Sequence, residues 1–317
     1  MSSDTVSVVL ACWNVEEFVR GAIDSVLAQT HPAVEVVAVD DGSTDGTWEA
    51  IRGYGDRVRA LRLPENRGAP HARNRGAEIA TGAWLQFMDA DDFSTPETLS
   101  ALVEAGRGTP GAVAACPWEF LIHEGHAWRR HPLRRPFAPP GDPLRGWLEG
   151  MWAPSCAVLY PRALFERVGG FDETLRRNDD GDLAMRAFVS GAGIARATSG
   201  LGVYRRHGST RVTLSSDRHS ERALRSQMRV FDKLAEQLSA QGRLEEYREL
   251  LEMQYGAIAL QAFEAGRAAI ARECLARGGA GAARRVRSGT RLGRLATRVL
   301  GLERKVRLAA AVRRLRG

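Results

Sequence analysis

The chain has 317 residues, 44% hydrophobic and 26% charged, with a formal net charge of +7, an ordinary globular composition with ample length for a buried core. The longest stretch free of Asp, Glu, Lys, Arg and His runs only from 150 to 161, short of the ~18 apolar residues that cross a bilayer, and no basic-apolar leader precedes the strand-like run at Val6. Four scattered cysteines (Cys12, Cys116, Cys156, Cys274) with no C-x-x-C pair give neither a disulfide framework nor a zinc site, so a cytoplasmic protein is expected.

Residues 6–12 read as a buried strand, and 16–29 as a helix with apolar positions at Phe18, Val19, Ala22, Ile23, Val26 and Leu27. A second buried strand covers 34–39 and runs into the turn-rich Asp-Asp-Gly-Ser-Thr-Asp-Gly. A short helix over 47–53, a strand over 58–63, a helix over 71–80 and a strand over 84–88 follow. Strands alternating with helices through short links predict right-handed βαβ units, a mostly parallel α/β sheet, and ligands at its carboxyl edge.

From 97 to 215 the pattern is less regular, with proline-rich links, a strand over 157–160 and the acidic run 179–182 opening a helix. Residues 217–277 read as helical. The last segment, 280–317, holds twelve Lys or Arg against Glu303, a charge of +11 that leaves 1–279 mildly acidic. Within it Leu292, Leu295, Val299, Leu302 and Val306 draw one stripe on a helix whose other face is largely arginine. Such a helix is expected to lie peripherally on an anionic membrane surface, at its inner face; packing on the acidic body is the competing reading. No nucleic-acid partner is expected for the whole protein.

The chemistry-bearing residues stand at predicted strand ends. They are Asp40-Asp41, then Asp89-Ala90-Asp91-Asp92, then Asp179-Asp180-Gly181-Asp182, and finally the cationic Tyr204-Arg205-Arg206-His207. Clustered carboxylates repel unless a cation joins them, and oxygen ligands suit a hard divalent ion, Mg²⁺ or Mn²⁺, held through one or two carboxylates and substrate phosphates. There is no P-loop, and no G-x-G-x-x-G follows the first strand, to take the phosphates.

The runs VSVVLACWN, VVAVDDGSTDGT and ENRGAPHARNRGAEIATGAWLQFMDADD resemble the nucleotide-binding half of family 2 glycosyltransferases, and GGFDE, NDDGDLAMR and YRRHGST resemble that family's acceptor half. The resemblance implies a GT-A fold (Rossmann-like) over 1–215, with 1–100 the nucleotide half and 101–215 the acceptor half. A helical extension over 216–279 and the basic amphipathic tail over 280–317 follow. It implies an inverting transfer of a sugar from a nucleotide-diphosphate sugar, a UDP-sugar first, to the hydroxyl of a glycan or lipid-linked acceptor in glycoconjugate biosynthesis.

Residue by residue, the resemblance implies that Trp13 faces the base, where a core tryptophan is the alternative. Asp41 hydrogen-bonds the base with Asp40 in support, Asp40 being otherwise a turn cap. Arg73 stands near the diphosphate or sugar, or else in a surface ion pair. In the D-x-D, Asp89 contacts the ribose and Asp91 is a metal ligand, with Asp92 capping a helix near Thr95. His207 is a further metal or phosphate ligand, or a structural histidine. Asp180 is the general base, where Asp179-Asp180 replaces the commoner Glu-Asp pair, and Asp182 supplies helix N-terminal charge. The rival readings are a catalytically idle nucleotide-sugar-binding relative and a nucleotidyltransferase.

Overall fold

The computed structural model describes residues 4–132, 141–207, 219–285 and Arg304; the amphipathic stripe expected over 292–306 lies outside them. Chain order in the first part is β1 (Val6–Cys12), α1 (Val19–Leu27), β2 (Val34–Asp40), α2 (Thr47–Arg52), β3 (Arg59–Arg62), α3 (Ala69–Ile79), β4 (Trp84–Asp89), β5 (Phe93–Ser94) and α4 (Thr98–Gly108). Then come β6 (Val113–Ala115), β7 (Trp118–Glu124), β8 (Ala127–Pro132), α5 (Pro143–Leu148), β9 (Val158–Pro161), α6 (Arg162–Arg167), α7 (Asp179–Val189), β10 (Ile194–Arg196) and β11 (Gly202–Arg206). The α/β class expected from the sequence is the one observed.

Among the described residues a seven-stranded sheet runs in the order β10-β6-β9-β4-β1-β2-β3. Strand β1 lies parallel to both β2 and β4, whereas β9 is antiparallel to β4 and β6. Its position explains its sequence: Val6, Val8, Val9, Leu10 and Cys12 are all fully buried, as a central parallel strand covered on both faces requires. The chain leaves β1 to one side for β2 and β3 and returns on the other for β4. That reversal opens a crevice at the carboxyl ends of β1 and β4, where open α/β sheets bind ligands.

A smaller sheet, β5-β11-β7-β8, grows directly out of the D-x-D segment. Val203 pairs with Phe93 in an antiparallel ladder, while β11 runs parallel to β7. This second sheet delivers Arg205 and His207 to the crevice. The helix after the D-x-D starts at Thr98, with Glu97 at its N-cap position. Asp92 therefore does not cap it. It is fully buried, and its Oδ1 accepts the Arg205 amide at 2.8 Å, joining the two sheets.

The chain divides into two compact units, Met1–Glu173 with Asp179–Arg211, and Thr174–Asn178 with Val212–Gly317. In the second, α8 (Glu221–Ala240), α9 (Leu244–Glu264), α10 (Ala268–Arg277) and α11 (Gly279–Arg285) pack together. Ser220 caps α8 through the Ala223 amide. The Ser226 hydroxyl accepts the amides of Arg176 and Arg177, which holds the 174–178 segment within this unit. Helical structure continues past residue 279, with Ala282 fully buried. No helix among the described residues is long and apolar enough to cross a membrane.

Helix α3 carries Arg73 and lies on β1 and β2. It comes close because Gly76 has no side chain: a Cβ there would overlap the Val9 side chain and press on Val39 at 3.1 Å. Gly76→Ala is expected to destabilise by about 1–3 kcal/mol through overpacking, against a helix-propensity gain of about 1 kcal/mol. Denaturant melts of the two proteins decide the sign.

Candidate active site

At the β1 and β2 ends, two loops are stitched together. Asn14 takes a left-handed φ of 50°; its amide donates to Ser43 Oγ at 3.0 Å and its Oδ1 accepts the Thr44 amide at 2.9 Å. Trp13, one residue earlier, is 43% exposed; it is not a core tryptophan. Asp40 is buried, pairs with Arg62 at 3.2 Å and accepts the Ser43 amide through Oδ1 at 3.3 Å.

Asp41 is also buried. Its two oxygens accept the amides of Arg67 and Gly68 at 3.0 and 2.7 Å, so one carboxylate sets the loop that starts α3. Burial pushes its pKa up, and the two N–H donors oppose that. Gly42 beside it has φ +69°, and a Cβ there would sit 2.7 Å from the Glu65 carbonyl carbon. Only glycine fits such a left-handed, close-packed position.

The centre of the site is Arg73. It is buried, and its Nη1 pairs with Asp179 and its Nη2 with Asp89, while its guanidinium lies 5.2 Å from the Phe171 ring centroid. A surface ion pair is thus excluded: this cation joins the D-x-D to the start of α7. From α3, Asn74 fixes the GGFDE turn. Its Oδ1 accepts the Phe171 amide and its Nδ2 donates to the Phe171 carbonyl and to Glu173, each at 2.9–3.0 Å. Glu173 Oε2 lies 2.8 Å from His71 Nδ1.

On the other side, Asp91 Oδ2 lies 2.7 Å from His207 Nε2. The imidazole is wedged by Phe18 and Trp128, at ring-centroid distances of 4.5 and 5.5 Å. Arg205 is surrounded by the rings of Phe18, Phe93 and Trp128 and donates to the Asp91 carbonyl at 3.1 Å. Among the described residues no group of three His, Cys, Asp or Glu side chains is arranged to hold a metal by itself. One carboxylate oxygen and one imidazole nitrogen side by side do fit a divalent ion whose remaining ligands come from a diphosphate and water.

The three α7 carboxylates have different fates. Asp179 is bound to Arg73. Asp182, buried, is bound to Arg186 at 2.8 Å, so it is an ion-pair partner as well as a first-turn charge. Asp180 has no ion pair among the described residues and accepts its neighbour's amide, Gly181 N, at 2.8 Å. It lines a cavity otherwise made by Phe87, Trp147, Ala153, Ser155, Val158, Tyr160, Phe171 and Leu183. Burial in that apolar setting, with the Asp179 charge adding and Arg73 opposing, raises its pKa from 3.8 to about 6. Asp89, Asp91, Arg73, Asp179, Asp180 and His207 thus meet at one end of the sheet, while Trp13, Asp40 and Asp41 mark the neighbouring strand ends.

The family model for Glycosyl transferase family 2 matches residues 7–169, just over half of the chain. The chain belongs to glycosyltransferase family 2. This family 2 chain is 31% identical over 222 residues to the succinoglycan biosynthesis protein ExoO of Rhizobium meliloti, covering 67% of this chain and 64% of that one. It is 34% identical over 137 residues to the uncharacterized glycosyltransferase YibD of Escherichia coli, covering 42% of this chain and 40% of that one. The chain therefore spans about half the length of such curated relatives. By structure it is similar to S. aureus TarS 1–349, solved in complex with UDP-GlcNAc, at TM-score 0.70 and 18% identity over 98% of this chain and 92% of that one. That likeness is one of fold, the GT-A architecture.

Phe18 and Trp128 carry no signal in the sequence for a place beside His207, and only folding brings them there. Phe171 and Glu173 lie in the GGFDE run and Asn74 in the ENRGAPHARNRGAE run, but no spacing ties them to Arg73 or His71.

A raised folded-state pKa means that the native protein holds the Asp180 proton more tightly than the unfolded chain does. Stability is then lost as pH rises from about 4 to about 6, and the penalty is full above that range. Asp180→Asn is accordingly expected to melt at a higher temperature than wild type at about pH 7.5 and to lose that advantage near pH 4. Calorimetric scans across pH measure both.

Proposed function

We propose that this protein is an inverting glycosyltransferase that moves a sugar from a nucleotide-diphosphate sugar, a UDP-sugar first, to an acceptor hydroxyl. The observation that carries the reading is Asp180, a carboxylate without an ion pair among the described residues, lining an apolar cavity with a pKa of about 6. A sugar hydroxyl is a weak nucleophile and must surrender its proton as it attacks. Asp180 receives that proton, the hydroxyl oxygen bonds to the anomeric carbon, and the carbon–oxygen bond to the diphosphate breaks on the opposite face. One base and no covalent enzyme intermediate give inversion.

The donor side follows the family resemblance, residue by residue. Exposed Trp13, with Asp40 and Asp41 behind it, receives the base. Asp89, held by Arg73, faces the ribose, and Arg73 also balances the carboxylates gathered beside the diphosphate. Asp91 and His207 would hold the divalent metal, Mg²⁺ or Mn²⁺. When bound, that ion supplies Lewis-acid stabilisation of the departing diphosphate. UDP-GlcNAc, the ligand in the TarS complex, supports a UDP-sugar as the donor to try first.

The apolar stripe expected over 292–306, with arginines on the other face, supports a peripheral membrane location, suited to a lipid-linked or envelope acceptor. The full chain is expected to co-sediment with anionic vesicles at low salt, and a chain ending at Arg285 is not; equal behaviour of the two would remove the anchor.

For the chemistry, kcat/KM is expected to fall below about pH 6 with unit slope, because the base works only unprotonated. Asp180→Asn should lower kcat by roughly 10²–10⁴-fold while calorimetry shows donor affinity retained. Asp91→Asn should instead lose metal-dependent donor affinity. Near wild-type turnover by Asp180→Asn, with Asp179→Asn crippled, would move the base by one residue.

A further inference from the structure

The segment between α5 and β9 passes the Asp180 cavity. Trp147, Ala153 and Ser155 line that cavity, and between them Trp152 turns outward, 38% exposed. Its indole is backed rather than bare. The Trp118 ring lies 4.8 Å away and tilted by 37°, and Phe120 and Tyr204 stand at 6.4 and 6.5 Å, closer to perpendicular. One side of Trp152 is thus fixed by an aromatic wall rising from β7 and β11, while part of the residue stays open to solvent.

The wall adjoins the reaction centre through the chain, since Ala153, the residue after Trp152, and Ser155 line the cavity that holds Asp180. A rigid indole beside the cavity that holds Asp180 suits one ligand chemistry in particular. A pyranose has an apolar C–H face that can lie on a ring and hydroxyls on its rim that can donate to carboxylates. Two χ angles and a large flat area make tryptophan a low-entropy anchor for such a face. Arg206, 4.6 Å over the Phe120 ring, makes an anionic polyol the rival occupant, but that cation lies on Phe120, whereas the ring exposed beside the Asp180 cavity is Trp152.

We propose that Trp152, backed by Trp118, Phe120 and Tyr204, is the stacking platform for the acceptor's sugar ring, so that the acceptor is a saccharide. The word acceptor rests on the transferase reading above; the binding of a sugar at Trp152 does not.

The test is saturation-transfer NMR on the full chain with the methyl pyranosides of glucose, galactose, mannose and N-acetylglucosamine, and with glycerol phosphate as the anionic probe. Saturating the aromatic protons of wild type should transfer to the ring C–H protons of at least one pyranoside more strongly than saturating the methyl protons. Trp152→Ala should weaken that binding on the order of tenfold, the scale of removing an anchor side chain, and Trp152→Phe should keep most of it. The wild-type comparison needs no variant, so it stands even if Trp152→Ala folds poorly. No transfer to any pyranoside, transfer favouring the methyl protons, unchanged affinity in a folded Trp152→Ala, or binding of glycerol phosphate alone would overturn the platform. Turnover of UDP-sugars is measured separately, and its absence would sink the transferase reading while leaving the sugar-binding result to stand.

Discussion

A buried arginine between two carboxylates holds the site together. Asp89, Asp91, Asp92, Asp179 and Asp180 are gathered in one region, and left to themselves they would force the two sheets and α7 apart. Arg73 answers the charge from inside, joined to Asp89 at the end of β4 and to Asp179 at the start of α7. Removing one partner of the buried Arg73–Asp179 pair strands the other charge, which costs about 3–5 kcal/mol; Asp89 is more open to solvent, so its pair contributes less. The D-x-D, α3 and α7 thus stand as one unit. Everything that places Arg73 then becomes part of the site. Gly76 brings α3 down onto β1 and β2, Asp41 fixes the loop from which α3 starts, and Asn74 pins the GGFDE turn at its side.

The same ion pair separates the roles of the acidic residues. Because Arg73 takes Asp179 and Arg186 takes Asp182, the carboxylate between them keeps its charge uncompensated by any ion pair among the described residues. Asp180 faces aromatic and aliphatic side chains, and a group so placed titrates near neutrality, where a base both holds and releases protons readily. Near-identical residues in one helical turn thus do different work, because their neighbours come from distant parts of the chain.

The second sheet makes a comparable division on the opposite side. β11 forms its ladder with the short strand following the D-x-D, and that pairing brings His207 to Asp91 although 116 residues separate them. Phe18 from the start of α1 and Trp128 from β8 hold the imidazole. Asp92, which the sequence suggested as a helix cap, is instead an acceptor inside this junction, and the charges of Asp91 and Asp89 add to burial in pushing its pKa well up.

The sequence by itself determined the βαβ order, the buried strands and the acidic ends of those strands. These are written in local periodicity and in turn residues, which need no partner to be read. It also marked the α7 cluster and the YRRH run as chemistry-bearing, since clustered like charges repel unless an opposite charge joins them. Which carboxylate meets a cation was a matter for tertiary structure, because Arg73 and Asp179 are brought together only by folding. The same holds for the outward turn of Trp13, the burial of Asp92, the aromatic clasp on His207 and the wall behind Trp152. Each depends on side chains from separate strands and helices, and a contact made across a hundred residues leaves no period or spacing in the chain.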